Sequence, residues 1–125
     1  MMKKAIQSNE APAAIGPYSQ AIYSGGMIYV SGMLGIDPAD GNLKATVTEQ
    51  AEQALKNLSA VLKEAGTDMG RVVKTTVFIT DMGAFGAVNE IYAKCFSAPF
   101  PARSCVQVSA LPKGGLFEIE AIAEV

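Results

Sequence analysis

The chain has 125 residues and carries 10 Lys and Arg against 12 Asp and Glu, a net charge of −2. That length makes one domain with enough interior to fold without disulfide or metal staples, and a half-hydrophobic composition with only 18% charged residues excludes a disordered chain. The absence of histidine excludes His-based triads, imidazole bases and His-ligated metals, and the near-balance of charge leaves no basic footprint for nucleic acid. Met1-Met2-Lys3-Lys4 is basic, but no apolar run of signal-peptide type follows it. The charge-free stretch between Glu10 and Asp37 is broken by Pro12, Gly16, Pro17, Gly25, Gly26, Gly32 and Gly35, so it cannot span a membrane as a helix. The two cysteines, Cys95 and Cys105, match neither a redox pair nor a metal cage. A soluble cytoplasmic protein with reduced thiols and no membrane partner is expected.

A short first strand falls near Ala5-Ile6. Ser19 to Ser24 and Met27 to Ser31 flank Gly25-Gly26, the signature of a two-residue hairpin. Asp40-Gly41 marks a tight turn. Apolar residues at Val47, Ala51, Ala54, Leu55, Leu58, Val61, Leu62 and Ala65 form one face at the 3.6 period, with Thr46 and Glu49 as a capping box and Gly66 as the stop. Val72 to Thr80 is β-branched and apolar on both faces, which predicts a central strand. A second helix begins after Asp81, turns Phe85, Val88, Ile91, Tyr92, Cys95 and Phe96 inward, and ends before Pro99. Arg103 to Ala110 and Phe117 to Val125 alternate as strands. The order β-β-β-α-β-α-β-β gives an α+β domain whose two helices cover one face of the sheet. The bare face needs a partner, and a second copy of the chain is the natural one.

Alternation puts Arg103, Cys105, Gln107 and Ser109 on one side of their strand, and Glu118 and Glu120 on the side away from Phe117 and Ile119. The Leu111-Pro112-Lys113-Gly114-Gly115 connection suggests that the last two strands pair antiparallel, letting an arginine, a thiol and a carboxylate converge. Such a set is either a solvated polar face or a small-carboxylate site, with an arginine fork and a glutamate that handles protons. Without histidine, Cys105 reads as a half-buried structural thiol, and Cys95 as core. Gly16-Pro17-Tyr18-Ser19 reads as a turn and Ser31-Gly32 as a strand exit; alternatively, Tyr18 and the backbone near Gly32 line a pocket. No phosphate-cradling glycine motif or zinc pattern supports a cofactor.

Pro101-Ala102-Arg103-Ser104-Cys105-Val106-Gln107-Val108, followed by Leu111-Pro112 and Glu118-Ile119-Glu120-Ala121, resembles the C-terminal signature of the Rid (YjgF) family of reactive intermediate/imine deaminases, RidA-type subgroup. Ala14 to Ala21, Val30-Ser31-Gly32, Lys74 to Phe78 and Val88-Asn89 with Tyr92 fall in family order, so the resemblance covers residues 1–125 as a single domain. It implies a chorismate-mutase-like mixed sheet with two helices on one face, assembled as a homotrimer with sites between subunits. It implies hydrolysis of 2-iminobutanoate and 2-iminopropanoate, released by pyridoxal-phosphate enzymes, to 2-oxo acids and ammonia, with no cofactor or metal. It assigns carboxylate binding to Arg103 with backbone near Cys105, water activation to Glu118, and pocket shape to Tyr18, Ser31, Gly32 and Asn89. Two readings stand beside it: a single-stranded endoribonuclease or translation inhibitor, and a non-catalytic regulatory trimer that binds small carboxylates. The chain departs from the family at Gly32-Met33-Leu34-Gly35-Ile36, which lacks the usual glutamine and proline, and at Cys95, where an aromatic is usual.

Overall fold

The computed structural model describes residues 2–125. Six strands and two α-helices alternate as β1 (Lys4–Ile6), β2 (Ala21–Ser24), β3 (Met27–Leu34), α1 (Val47–Glu64), β4 (Val72–Ile79), α2 (Phe85–Cys95), β5 (Ala102–Gln107) and β6 (Phe117–Glu124). They form one mixed sheet in the order β1-β2-β3-β6-β4-β5.

The hairpin between β2 and β3 closes through Gly25 and Gly26, both at positive φ, with Ser24 opposite Met27. Such a turn matches the twist of the strands it joins. Helix α1 begins with both halves of the Thr46–Glu49 capping box, and ends where the Thr67 N–H bonds back to Leu62 O beyond Gly66 at φ +83°. Asp81 caps a single 3₁₀ turn, Met82–Ala84, that leads into α2. Val88, Tyr92 and Phe96 are the buried residues of that second helical segment, with Phe85, Ile91 and Cys95 packed at its margin.

Strands β4 and β5 are parallel, joined by a crossover through α2. Strand β6 runs antiparallel to both β3 and β4 and fills the slot between them. The pairing of β5 with β6 expected from the sequence is therefore incorrect: β4 lies between the two. The glycine- and proline-containing 108–116 connection steps across β4 instead of closing a hairpin, because the helical crossover has already made β4 and β5 neighbours.

One face of the sheet, bearing Ile28, Val30, Thr75, Val77, Ile79, Phe117, Ile119, Ala121 and Ala123, is buried beneath the helices. The opposite face leaves Tyr29, Val73 and Val106 exposed. The buried side of α1 also carries two amides. Asn57 Nδ2 donates to Leu34 O at 3.1 Å and Ile36 O at 2.9 Å, while Gln50 receives the Leu116 N–H and donates to Lys44 O. These bonds fasten the ends of β3 and the start of β6 to the helix, where the strand ladder has run out of partners. Among the described residues no helix is long and apolar enough to cross a membrane. Asn57→Ala leaves one buried and one partly buried carbonyl without this donor and is expected to lower unfolding free energy by about 2–4 kcal/mol. Urea denaturation measures it; a loss below about 1 kcal/mol would mean that water takes over the amide's bonds.

Candidate functional site

The residues singled out in the sequence fall into two groups. In the first, Tyr18, Ser31, Gly32 and Glu118 line one cleft of about 460 Å³, together with Gln20, Leu34, Pro112 and Lys113. Its back wall is a β-bulge. Between Val30 and Met33, β3 has one residue more than the stretch of β6 it faces, Ala121 to Ile119, so Ser31 and Gly32 leave the regular ladder. The bulge is held by the Ser31 N–H bonding to Gln20 O at 2.9 Å and by Ser31 Oγ donating to Ser19 O at 2.6 Å. Gln20 itself is buried. Its side chain accepts from the Ser8 N–H and donates to Ser8 O and Pro12 O, tying the N-terminal loop to the cleft. Glu118 projects from β6 against the bulge, paired in register with Leu34. Burial, with Glu120 nearby, pushes its carboxyl above the usual carboxylate range.

The second group is Arg103, Cys105 and Asn89. Arg103 on β5 sits in register with Thr75, and its guanidinium lies over the rings of Tyr92 at 4.7 Å and Phe85 at 5.4 Å. It donates one hydrogen bond to Asn89 Oδ1 at 2.7 Å. The Tyr92 hydroxyl is fixed by Thr75 Oγ1 at 2.7 Å, and its ring packs 4.6 Å from Phe96. The platform under the arginine is thus anchored in the core, and among the described residues the guanidinium's other N–H groups have no partner, which leaves them open to a carboxylate. Cys105 is half-buried; burial raises its thiol pKa, while Arg103 pulls the other way. A neutral thiol in this position is a poor nucleophile.

Arg103 and Glu118 do not converge within one chain, contrary to the expectation from the sequence. Arg103 shares the helix-covered face with Thr75, whereas Glu118, paired with Phe78, points from the other face. The intervening β4 and a stagger of three residues add a separation of about 10 Å in each direction. Asn89 likewise lies with Arg103 and not with Tyr18, Ser31 and Gly32. Sequence reasoning passed over Tyr92 and Phe85 as supports for the arginine, and over Gln20 as the tie behind the bulge. The Asn89-to-Tyr92 spacing, which puts both on one helix face, was a usable signal for the first. Among the described residues no group of three His, Cys, Asp or Glu side chains could share a metal ion.

The family model described as endoribonuclease L-PSP matches residues 8–125. A mouse protein named 2-iminobutanoate/2-iminopropanoate deaminase is 54% identical over 98% of this chain and 92% of its own length, and the human protein of that name 51% identical over 98% and 90%. A Yersinia pestis protein of the conserved Rid family superposes with a TM-score of 0.97 at 52% identity, covering 99% of this chain and 100% of that one. Escherichia coli TdcF, solved with bound serine, superposes at 0.93 with 42% identity over 98% of both chains.

The two rings under Arg103 are expected to contribute separably to the binding of any anion at its fork. Tyr92→Leu, which removes the nearer ring, is expected to weaken binding of a small carboxylate about two- to fivefold. Tyr92→Phe keeps the ring, so it should bind as the parent does while losing about 1 kcal/mol of stability with the Thr75 hydrogen bond. Calorimetric titration with parallel melting curves measures both; equal weakening by Phe and Leu would mean that the hydroxyl, not the ring, is what matters.

Proposed function

The chain belongs to the YjgF/Rid family, and on that premise we propose that it hydrolyses reactive 2-imino acids, 2-iminobutanoate and 2-iminopropanoate, to 2-oxo acids and ammonia. The observation that carries this reading is the 51–54% identity, over nearly the whole chain, to mammalian proteins named for that activity. Its setting would be the cytoplasm, removing imines released by pyridoxal-phosphate enzymes that act on serine or threonine.

The reaction asks little of the protein. An iminium carbon is already electrophilic, so water can add without a covalent nucleophile. The remaining work is to orient the substrate carboxylate, place the water and move protons. Arg103 holds the carboxylate through the N–H groups not given to Asn89, assisted by backbone near Cys105. Glu118 takes a proton from the water as it adds to C2 and returns one to the nitrogen. The C–N bond then breaks as the C2 hydroxyl gives its remaining proton back to Glu118, so that ammonia leaves and the C2 carbonyl forms. Tyr18, Ser31 and Gly32 shape the pocket on the Glu118 side.

Since one chain points Arg103 and Glu118 from opposite faces, each would act on a substrate shared with a neighbouring copy. A homotrimer apposed through the uncovered sheet face supplies that neighbour, and exposed Tyr29, Val73 and Val106 support it. The endoribonuclease reading has the family model's description in its favour. A net charge of −2 and the lack of histidine speak against it, because RNA binding draws on phosphate-neutralising cations. A small-carboxylate-binding regulator needs Arg103 but gives Glu118 no task.

Mixing two inactive variants tests the shared site. Arg103→Ala and Glu118→Gln, each expected to be at least about tenfold impaired alone, should recover activity when unfolded together and reassembled. Random assembly makes about three-quarters of trimers mixed, each with one intact site of three, so about a quarter of the parent rate should return. No recovery from properly assembled mixtures would place both residues in one chain's site and sink the proposal.

The pH profile is a second test. As the base, Glu118 must be ionised, so activity should rise with pH along a limb lying above the ordinary carboxylate range, because burial and Glu120 both favour the protonated form. Tyr18 and Lys113 are the other ionisable groups lining its cleft. Glu120→Gln removes the like charge and should shift the limb to lower pH, with assembly checked by light scattering. A limb that stays put or moves upward would contradict the assignment.

A further inference from the structure

Gly32 carries no side chain at the point where Glu118 comes closest to the bulge. A Cβ built on Gly32 would stand 2.5 Å from Glu118 Oε2, 2.8 Å from Cδ and 3.2 Å from Cγ. Gly32 is not among the glycines at positive φ, so no left-handed backbone stands against an alanine there. What the position refuses is volume. The backbone cannot retreat easily either, because Ser31 on one side is fastened twice, to Gln20 O and Ser19 O. The atoms in the way are the far end of a flexible side chain, so an added methyl group would displace the Glu118 carboxyl without breaking the fold. Gly35 is the contrasting case: there a Cβ would strike the backbone of Gln50 in α1, and the consequence would be unfolding.

We propose that Gly32 is a positioning residue, and that its missing side chain is the space that holds the Glu118 carboxyl in its working place. This rests on the reading of Glu118 as the group that moves protons. The glycine in the Ser31-Gly32 pair is thereby explained by the side chain that leans over it from the neighbouring strand, not by the turn it makes. In the shared site the Arg103 that grips the carboxylate keeps its own supports, Asn89, Tyr92 and Phe85, while the atoms displaced at Gly32 are those of Glu118, so the substitution falls on the proton-moving group and not on the carboxylate clamp. The effect belongs in turnover and not in affinity.

The test is Gly32→Ala, assayed with imine generated in situ by an amino-acid dehydratase, alongside binding of 2-oxobutanoate, melting temperature and oligomeric mass. Turnover is expected to fall about tenfold to a hundredfold, the usual cost of a misplaced catalytic group. KM and 2-oxobutanoate affinity should stay within about twofold, and the melting temperature within about 2 °C. A fall in turnover smaller than about tenfold overturns the inference, as does a fall matched by lost affinity, stability or assembly. Glu118→Gln, assayed beside it, separates the two levels. Parent-like turnover by Glu118→Gln removes the reading on which the inference rests. A crippled Glu118→Gln beside an unimpaired Gly32→Ala removes the clearance role alone.

Discussion

The position of β6 between β3 and β4 is the constraint on which the arrangement of this protein depends. Two strand–helix–strand crossovers, β3-α1-β4 and β4-α2-β5, put both helices on one face, and the first leaves a gap that the last strand enters antiparallel. Strand β6 thereby becomes an interior strand, with Phe117, Ile119, Ala121 and Ala123 in the core and Glu118 and Glu120 on the other face. The same insertion keeps it away from β5. The chain therefore presents an arginine on a rim beside α2 and a carboxylate in a cleft beside β3, each with its own supports.

Those supports differ in kind. Arg103 is held by ring faces and one amide oxygen, contacts that fix a plane and leave the fork free. Glu118 is held by shape, against a bulge whose backbone is itself tied to the segment carrying Tyr18. A carboxylate partly removed from water with another carboxylate behind it keeps its proton to higher pH. On the proposed reading, that suits a group that would both accept and return one, since catalytic efficiency peaks as its pKa approaches the working pH. Cys105, despite its place in the strand signature, lacks any base to ionise it and is held neutral by burial.

Much of this was legible in the sequence, and the boundary is physical. Helix α1 was readable end to end because the capping box, the apolar stripe and Gly66 are all local. The Gly25-Gly26 hairpin was readable for the same reason. Alternation assigned Arg103 and Glu118 correctly to one side of their own strands. It could not relate one strand's sides to the other's without the strand order, and the turn-like residues between Leu111 and Gly115 suggested the wrong neighbour. The β4-α2-β5 succession held the correcting signal, since a helical crossover makes parallel neighbours. The bulge at Ser31-Gly32, the bonds of Gln20 and the Asn57 bonds to Leu34 O and Ile36 O were beyond reach, because their partners lie 8 to 23 residues away and depend on the finished fold.

On the proposed reading, the edge position of β5 acquires a reason. An edge strand with exposed Val106 on one side and an unpaired backbone row is a hazard that proteins normally cover or charge. A site completed by a neighbouring copy has to lie where a neighbour can reach it, and in a sheet with helices on one face that means the rim or the bare face. Strand β5 offers both: Arg103 faces up beside α2 while Ser104 and Val106 continue the bare face. The neighbour that covers the edge would then be the one that brings Glu118. Shielding the strand and assembling the chemistry become a single event, and a chain left alone would lack both.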